Sequence, residues 1–166
     1  MSKLVKIILN RRSVREFTPK PISDCDLKKI LECGRNAPSW HNTQPWHFLV
    51  VRDREKLMKI GGVGEWNSYI QDCGAAVFGL GDEKNYPDTY LIDVSIALEN
   101  MCLAAESLGI KTCWTGSMDM RLVRKLCNIP DDLAFVCCLV LGYPFKKKTL
   151  NEVVHHEEFS EVKQEC

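Results

Sequence analysis

The segment DTYLIDVSIALENMCLAAESLG (88–109) constrains the fold more than any other part of the chain. It has the length and composition of a helix, and Gly109 stands where a helix stop belongs. Its apolar residues do not keep to one side. A helix of this kind must be covered twice, once by its own core and once by something else, such as a second subunit. HFLVVR (47–52), AAVFGLG (75–81), IKTCWTG (110–116) and LAFVCCLVLGYP (133–144) read as strands, several of them near-continuously apolar. Strands of that composition suit a sheet buried on both faces by helices.

Further helices are expected at 3–10, at 24–35 behind Ser23 with Asp26 completing a capping box, at 53–60 behind Asp53, and at 119–128 behind Asp119. TPKPIS (18–23) and RNAPSWHNTQPW (35–46) read as connections, and 61–72 as irregular or weakly helical. The expected fold class is α/β, of the α+β sandwich type. It has a central mixed sheet of about four to five strands flanked by helices, in one domain over residues 1–166.

Lys plus Arg is 22 and Asp plus Glu is 22, so the chain carries no formal net charge. No global field draws it to nucleic acid or to an anionic membrane. No apolar run has the length of a membrane helix. The N-terminus, MSKLVKIILN, lacks a signal-peptide core and cleavage site, so a cytoplasmic protein is expected. Nine cysteines occur without a C-x-x-C pair. They read as small buried hydrophobes in a reducing compartment. His155 and His156 have no third ligand at metal-site spacing, and no metal centre is expected.

Against this neutral background, RRSVREFTP (11–19) concentrates three arginines and a serine. The planar guanidinium fork matches phosphate oxygens, and Ser13 adds a hydroxyl donor. A solvated basic helix end is the competing reading. Neither G-x-G-x-x-G nor G-x-x-x-x-G-K-[ST] is present. A second basic group, Lys146, Lys147 and Lys148, follows the last strand and could converge on the same phosphate. Between Pro38 and Pro45, the loop offers Ser39, Asn42 and Gln44. Their donors and acceptors suit the edge of a pyrimidine-like ring, or simply satisfy the loop's own backbone.

Four blocks, RRSVREFTPKPI, APSWHNTQPWHFLVV, ALENMCLAAESLGIKTCWTG and VLGYPFKKK, occur in an order that resembles the nitroreductase family of FMN-dependent oxidoreductases. The resemblance implies a homodimer on a long central helix, with two FMN sites at the interface. Arg11, Arg12 and Ser13 would hold the phosphate and ribityl end, with Lys146 and Lys147 completing that site. Arg15 would lie near the N1/O2 edge of the flavin. Pro38, Ser39, Trp40, Asn42 and Gln44 would close over the flavin from the partner subunit. Cys113, Trp114, Thr115 and Gly116 would lie beside the ring, with the Thr115 or Gly116 backbone N–H near N5. The tail 151–166 would dock on the partner.

The implied reaction passes hydride from NADH or NADPH through flavin N5 to nitroaromatic, quinone or similar acceptors, by a ping-pong mechanism. It needs no side chain as nucleophile or general base, and His41 has no required role. A reductive dehalogenase-like relative, or a flavin-binding sensor or store without turnover, would share most of these blocks. The chain is short for the family, and 61–88 leaves room for only a small lid. Asn67 or Ser68 stands near where larger members place an Asn and a Lys on the ring.

Overall fold

The computed structural model describes residues 1–63 and 66–145. Lys146, Lys147, Lys148 and the tail 151–166 lie outside the described residues. Strand β3 (Ala75–Gly81) is buried at every position, as its unbroken apolar composition requires. It lies between β2 (Trp46–Val51) and β5 (Ala134–Pro144). β5 also pairs with β4 (Lys111–Thr115) and with the short β1 (Phe17–Thr18). All four of these ladders are antiparallel. The mixed character of the sheet rests on one parallel bridge, Ser13 to Thr112.

Alternate residues of the central strands enter two separate cores, as the pleat dictates. Val77, Leu139 and Leu141 meet Ile30, Leu98 and Met101 from α2 (Asp24–Arg35) and α4 (Tyr90–Ser107). Phe78, Val140 and Leu80 face the other way, toward Leu57 and Ile60 of α3 (Arg54–Gly61) and Val123 of α5 (Met120–Cys127). Helix α4 comes so close to the sheet that a Cβ on Gly79 would stand 2.7 Å from Leu98 Cδ1. The caps are those the sequence specifies. Ser23 accepts from Asp26 N, Asp53 from Lys56 N, and Asp119 from Arg121 N and Leu122 N. Gly109 stops α4 at φ 75°.

Several boundaries differ from the sequence reading by a residue, and two differ by more or in kind. Helix α4 spans Tyr90–Ser107 rather than all of 88–109. The stretch read as a connection from residue 18 begins instead in a strand, because Phe17 and Thr18 pair with Pro144 and Tyr143. Five cysteines (73, 102, 113, 137 and 138) are buried, Cys25 and Cys33 are exposed, and all of these are free thiols.

Helix α1 (Lys3–Asn10) buries none of its residues. Leu4, Val5, Ile8 and Leu9 on α1 are exposed, as are Leu91 and Ile92 on α4. The second cover that α4 demands is therefore not supplied by the described residues. None of the described helices is long and apolar enough to cross a membrane.

Candidate functional site

The bridge from Ser13 to Thr112, reinforced by Val14 N donating to Thr112 O at 2.9 Å, lays the arginine segment along β4. Residues a hundred positions apart thus form one wall. Arg11 approaches Glu99 on α4 at 4.0 Å, a long contact that leaves most of its donors without a partner among the described residues. Burial pushes the Glu99 carboxyl up, while Arg11 and Trp114 pull it down. Arg12 folds back onto α1, donating from Nη1 to Leu9 O at 2.6 Å and Arg11 O at 2.7 Å. Its Nε is buried with no partner among the described residues. A guanidinium with an orphaned buried donor is suited to an acceptor from outside the chain. Ser13 and Arg15 are exposed.

At the far end of β4, Thr115 Oγ1 donates to Asn67 Oδ1 at 3.1 Å, and Asn67 Nδ2 donates to Ser117 O. Cys113 Sγ donates to Tyr69 OH at 3.7 Å. Burial pushes the Tyr69 phenol up to about 12, so it stays protonated across the physiological range. Tyr69 and Arg15 line one cavity of about 530 Å³, together with Phe17, Ser68 and Phe145. Trp114 is half-buried and Gly116 is exposed. A Cβ built on Gly116 would meet nothing within 4 Å, and its φ is not left-handed. Neither packing against the described residues nor backbone geometry calls for glycine there, so the open space beside it fits a flat group approaching the backbone.

The loop 38–45 is held differently. Trp40 N donates to Asp93 Oδ1 at 3.1 Å, Gln44 N to Ser39 Oγ at 3.0 Å, and Gln44 Nε2 to Asn42 Oδ1 at 3.1 Å. His41, Asn42 and Gln44 have φ of 47°, 58° and 50°. Three non-glycine residues in the left-handed region within four positions store backbone strain of about 1–3 kcal/mol each. Pro38, Trp40, His41, Asn42 and Gln44 are exposed, and Ser39 is half-buried. The His41 ring stands edge-on to Trp40 at 5.0 Å. No hydrogen bond or ion pair among the described residues joins this loop to the arginines. Their anchors on α4, Asp93 and Glu99, lie six residues apart, about 9 Å along the axis.

The structure therefore lays the segment Arg11–Arg15 along β4 through the Ser13–Thr112 bridge, with Cys113, Trp114, Thr115 and Gly116 following in the same strand and turn, and joins Pro38, Ser39, Trp40, Asn42 and Gln44 to the arginines by no hydrogen bond or ion pair among the described residues. Lys146 and Lys147 fall outside the described residues. Sequence reading gave no site role to Asp93, Glu99 or Tyr69. Asp93 was detectable as an acid inside a largely apolar helical run; it is 3% exposed, and its Oδ2 has no partner among the described residues. Among the described residues no three His, Cys, Asp or Glu side chains gather as a metal site.

Comparison with known proteins decides the ancestry. The sequence model of the nitroreductase family matches residues 8–72 and 76–143, which includes both the arginine wall and the strained loop. The chain belongs to the nitroreductase family. An Archaeoglobus fulgidus protein named provisionally as an NADH dehydrogenase/NAD(P)H nitroreductase is 39% identical over 159 residues, covering 92% of this chain and 91% of its own. A solved structure of a protein from Parabacteroides distasonis with the same provisional name superposes with a TM-score of 0.83 at 28% identity, covering 96% of this chain and 100% of its own. A provisionally named nitroreductase from Desulfovibrio desulfuricans, solved in complex with FMN, gives a TM-score of 0.79 at 26% identity over 96% of this chain and 99% of its own. This nitroreductase-family chain is thus an NAD(P)H- and FMN-linked oxidoreductase, in a family whose members typically hold FMN.

Proposed function

We propose that this chain binds FMN along the arginine–β4 wall and passes reducing equivalents from NADH or NADPH to small-molecule acceptors such as nitroaromatics and quinones. The observation that carries the reading is the Ser13–Thr112 bridge, which lays the arginine segment along the strand that leads into the open backbone at Gly116. FMN in the Desulfovibrio relative supports the cofactor assignment. Bound FMN would supply a two-electron carrier that accepts and releases hydride at N5.

The chain's own residues bind and tune. Arg11, Arg12 and Ser13 hold the phosphate and ribityl end, joined by Lys146 and Lys147. Arg15 places a cation where negative charge develops at the N1/O2 edge, which favours the reduced state. Thr115 or Gly116 would present a backbone N–H toward N5. Cys113 and Trp114 support the same strand beside the ring. No side chain serves as nucleophile or general base.

A homodimer completes the site. The exposed apolar faces of α1 and α4 are the surface it would bury. Pro38, Ser39, Trp40, Asn42 and Gln44 would reach the flavin of the partner subunit, a role compatible with their having no hydrogen bond or ion pair to the arginines among the described residues. The tail 151–166 docks on the partner. A groove of about 680 Å³ beside the outer strand β2, floored by Leu27, Leu31, Trp46 and Phe48, is a surface of suitable shape.

Replacing both Arg11 and Arg12 by Ala tests the phosphate assignment. Charge-assisted hydrogen bonds contribute about 1.5–3 kcal/mol each, so FMN affinity measured by fluorescence titration should fall by about 3–6 kcal/mol with the fold intact. Affinity equal to that of the wild type would contradict the assignment.

A further inference from the structure

We infer that Asn67 is a positioning residue, which sets the turn at Thr115–Ser117 without touching the cofactor itself; this rests on the FMN reading above. Asn67 is 3% exposed, and both ends of its amide are engaged within the chain. The carbonyl accepts from Thr115 Oγ1 and the amide donates to Ser117 O, so one side chain brackets Gly116 from both sides. The turn has little else to hold it. The β4–β5 ladder ends at the Thr115–Cys138 pair, and the next helix is not capped until Asp119. Gly116 and Ser117 are exposed, and Gly116 has no side chain to pack. The Thr115 carbonyl accepts a weak thiol contact from Cys137 Sγ at 3.3 Å.

Asn67 is itself firmly seated. Its carbonyl accepts from Ile70 N at 2.9 Å, and it lies against Gly61 at the end of α3. Two residues further on, Tyr69 meets Cys113. The pairs 67/69 and 113/115 have matched spacing, so the segment grips one face of β4 at two successive positions. The resemblance places an Asn from this region on the flavin ring. Here the Asn67 amide is used instead to fix the backbone that offers the N–H. Donor placement matters on the scale of an ångström, so the effect of Asn67 is transmitted through the turn.

The test uses Asn67→Ala together with Thr115→Val, which removes the opposite partner of the same bond with a smaller change in shape. In the FMN-free protein, ¹⁵N relaxation should show the Gly116 amide order parameter falling below about 0.6, the flexible range. In the FMN-loaded protein, anaerobic bleaching by NADH or NADPH should slow about a hundredfold. FMN affinity should stay within about threefold of the wild type, since the charge-assisted phosphate contacts lie elsewhere. Variants with a rigid Gly116 and wild-type bleaching would overturn the inference and leave the FMN reading intact. A wild-type chain that takes up no FMN would overturn the FMN reading and the cofactor role of Asn67 together, while the relaxation arm would still judge the clamp.

Discussion

Strand β3 and the loop 38–45 show two ways of fixing a backbone. In β3 every residue is buried and apolar, and the chain is held by ladders on both sides and by cores on both faces. In the loop most residues are exposed, and three of them sit in a conformation that non-glycine residues avoid. That conformation persists through a few hydrogen bonds, from Asp93, Ser39 and Asn42. The strand minimises free energy in one chain. The loop holds a shape whose use lies outside the chain, in keeping with strain concentrated at functional positions.

The comparison can be broken at its strong side first. Phe78→Ala removes a fully buried ring from the centre of β3. It should cost about 3–5 kcal/mol in denaturant unfolding; a loss below about 1 kcal/mol would mean that the sheet is not the rigid partner assumed here. At the loop, His41→Gly relieves the strained φ, offset by the conformational entropy that glycine adds to the unfolded chain. Stability should stay within about 1 kcal/mol of the wild type, while FMN binding weakens as the loop loses its preset shape.

Alkaline pH should act on the packed sheet rather than the loop. The Cys73 thiol and the Tyr69 phenol are pushed by burial from 9.0 and 10.0 up to about 12. Groups raised in the folded state contribute stability that is intact below their unfolded values and is lost as pH rises through the folded ones. The unfolding midpoint should therefore hold to about pH 9 and fall toward pH 12. Tyr69→Phe should flatten the part above pH 10. A midpoint independent of pH over that range would contradict the burial argument.

The smallest effect expected is at Glu99→Gln. Removing the carboxylate 4.0 Å from Arg11 should tighten FMN binding a few-fold at low salt, with the gain fading as the Debye length shrinks to about 8 Å at physiological ionic strength.

The parts of the fold written in local rules were legible. Ser23, Asp53 and Asp119 mark helix starts because a cap acts over three residues, and the apolar runs at 75–81 and 133–144 mark buried strands. The pair Phe17–Thr18 was hidden because two residues carry no period; they become a strand only against the end of β5. The left-handed backbone at His41, Asn42 and Gln44 was hidden because no glycine announces it. In the site, the arginine cluster and the glycine after β4 stood out by residue type. Tyr69 and Glu99 did not, and Asn67 was named only through the resemblance, since their roles depend on partners many positions away.

The central claim is that the arginine–β4 wall holds a working flavin. Its most direct test is the visible absorption spectrum of the protein mixed with FMN and passed through a desalting column, then treated anaerobically with NADH and separately with NADPH. The account predicts retained yellow colour that at least one donor bleaches. A colourless protein, or a flavin that neither donor reduces, would contradict it.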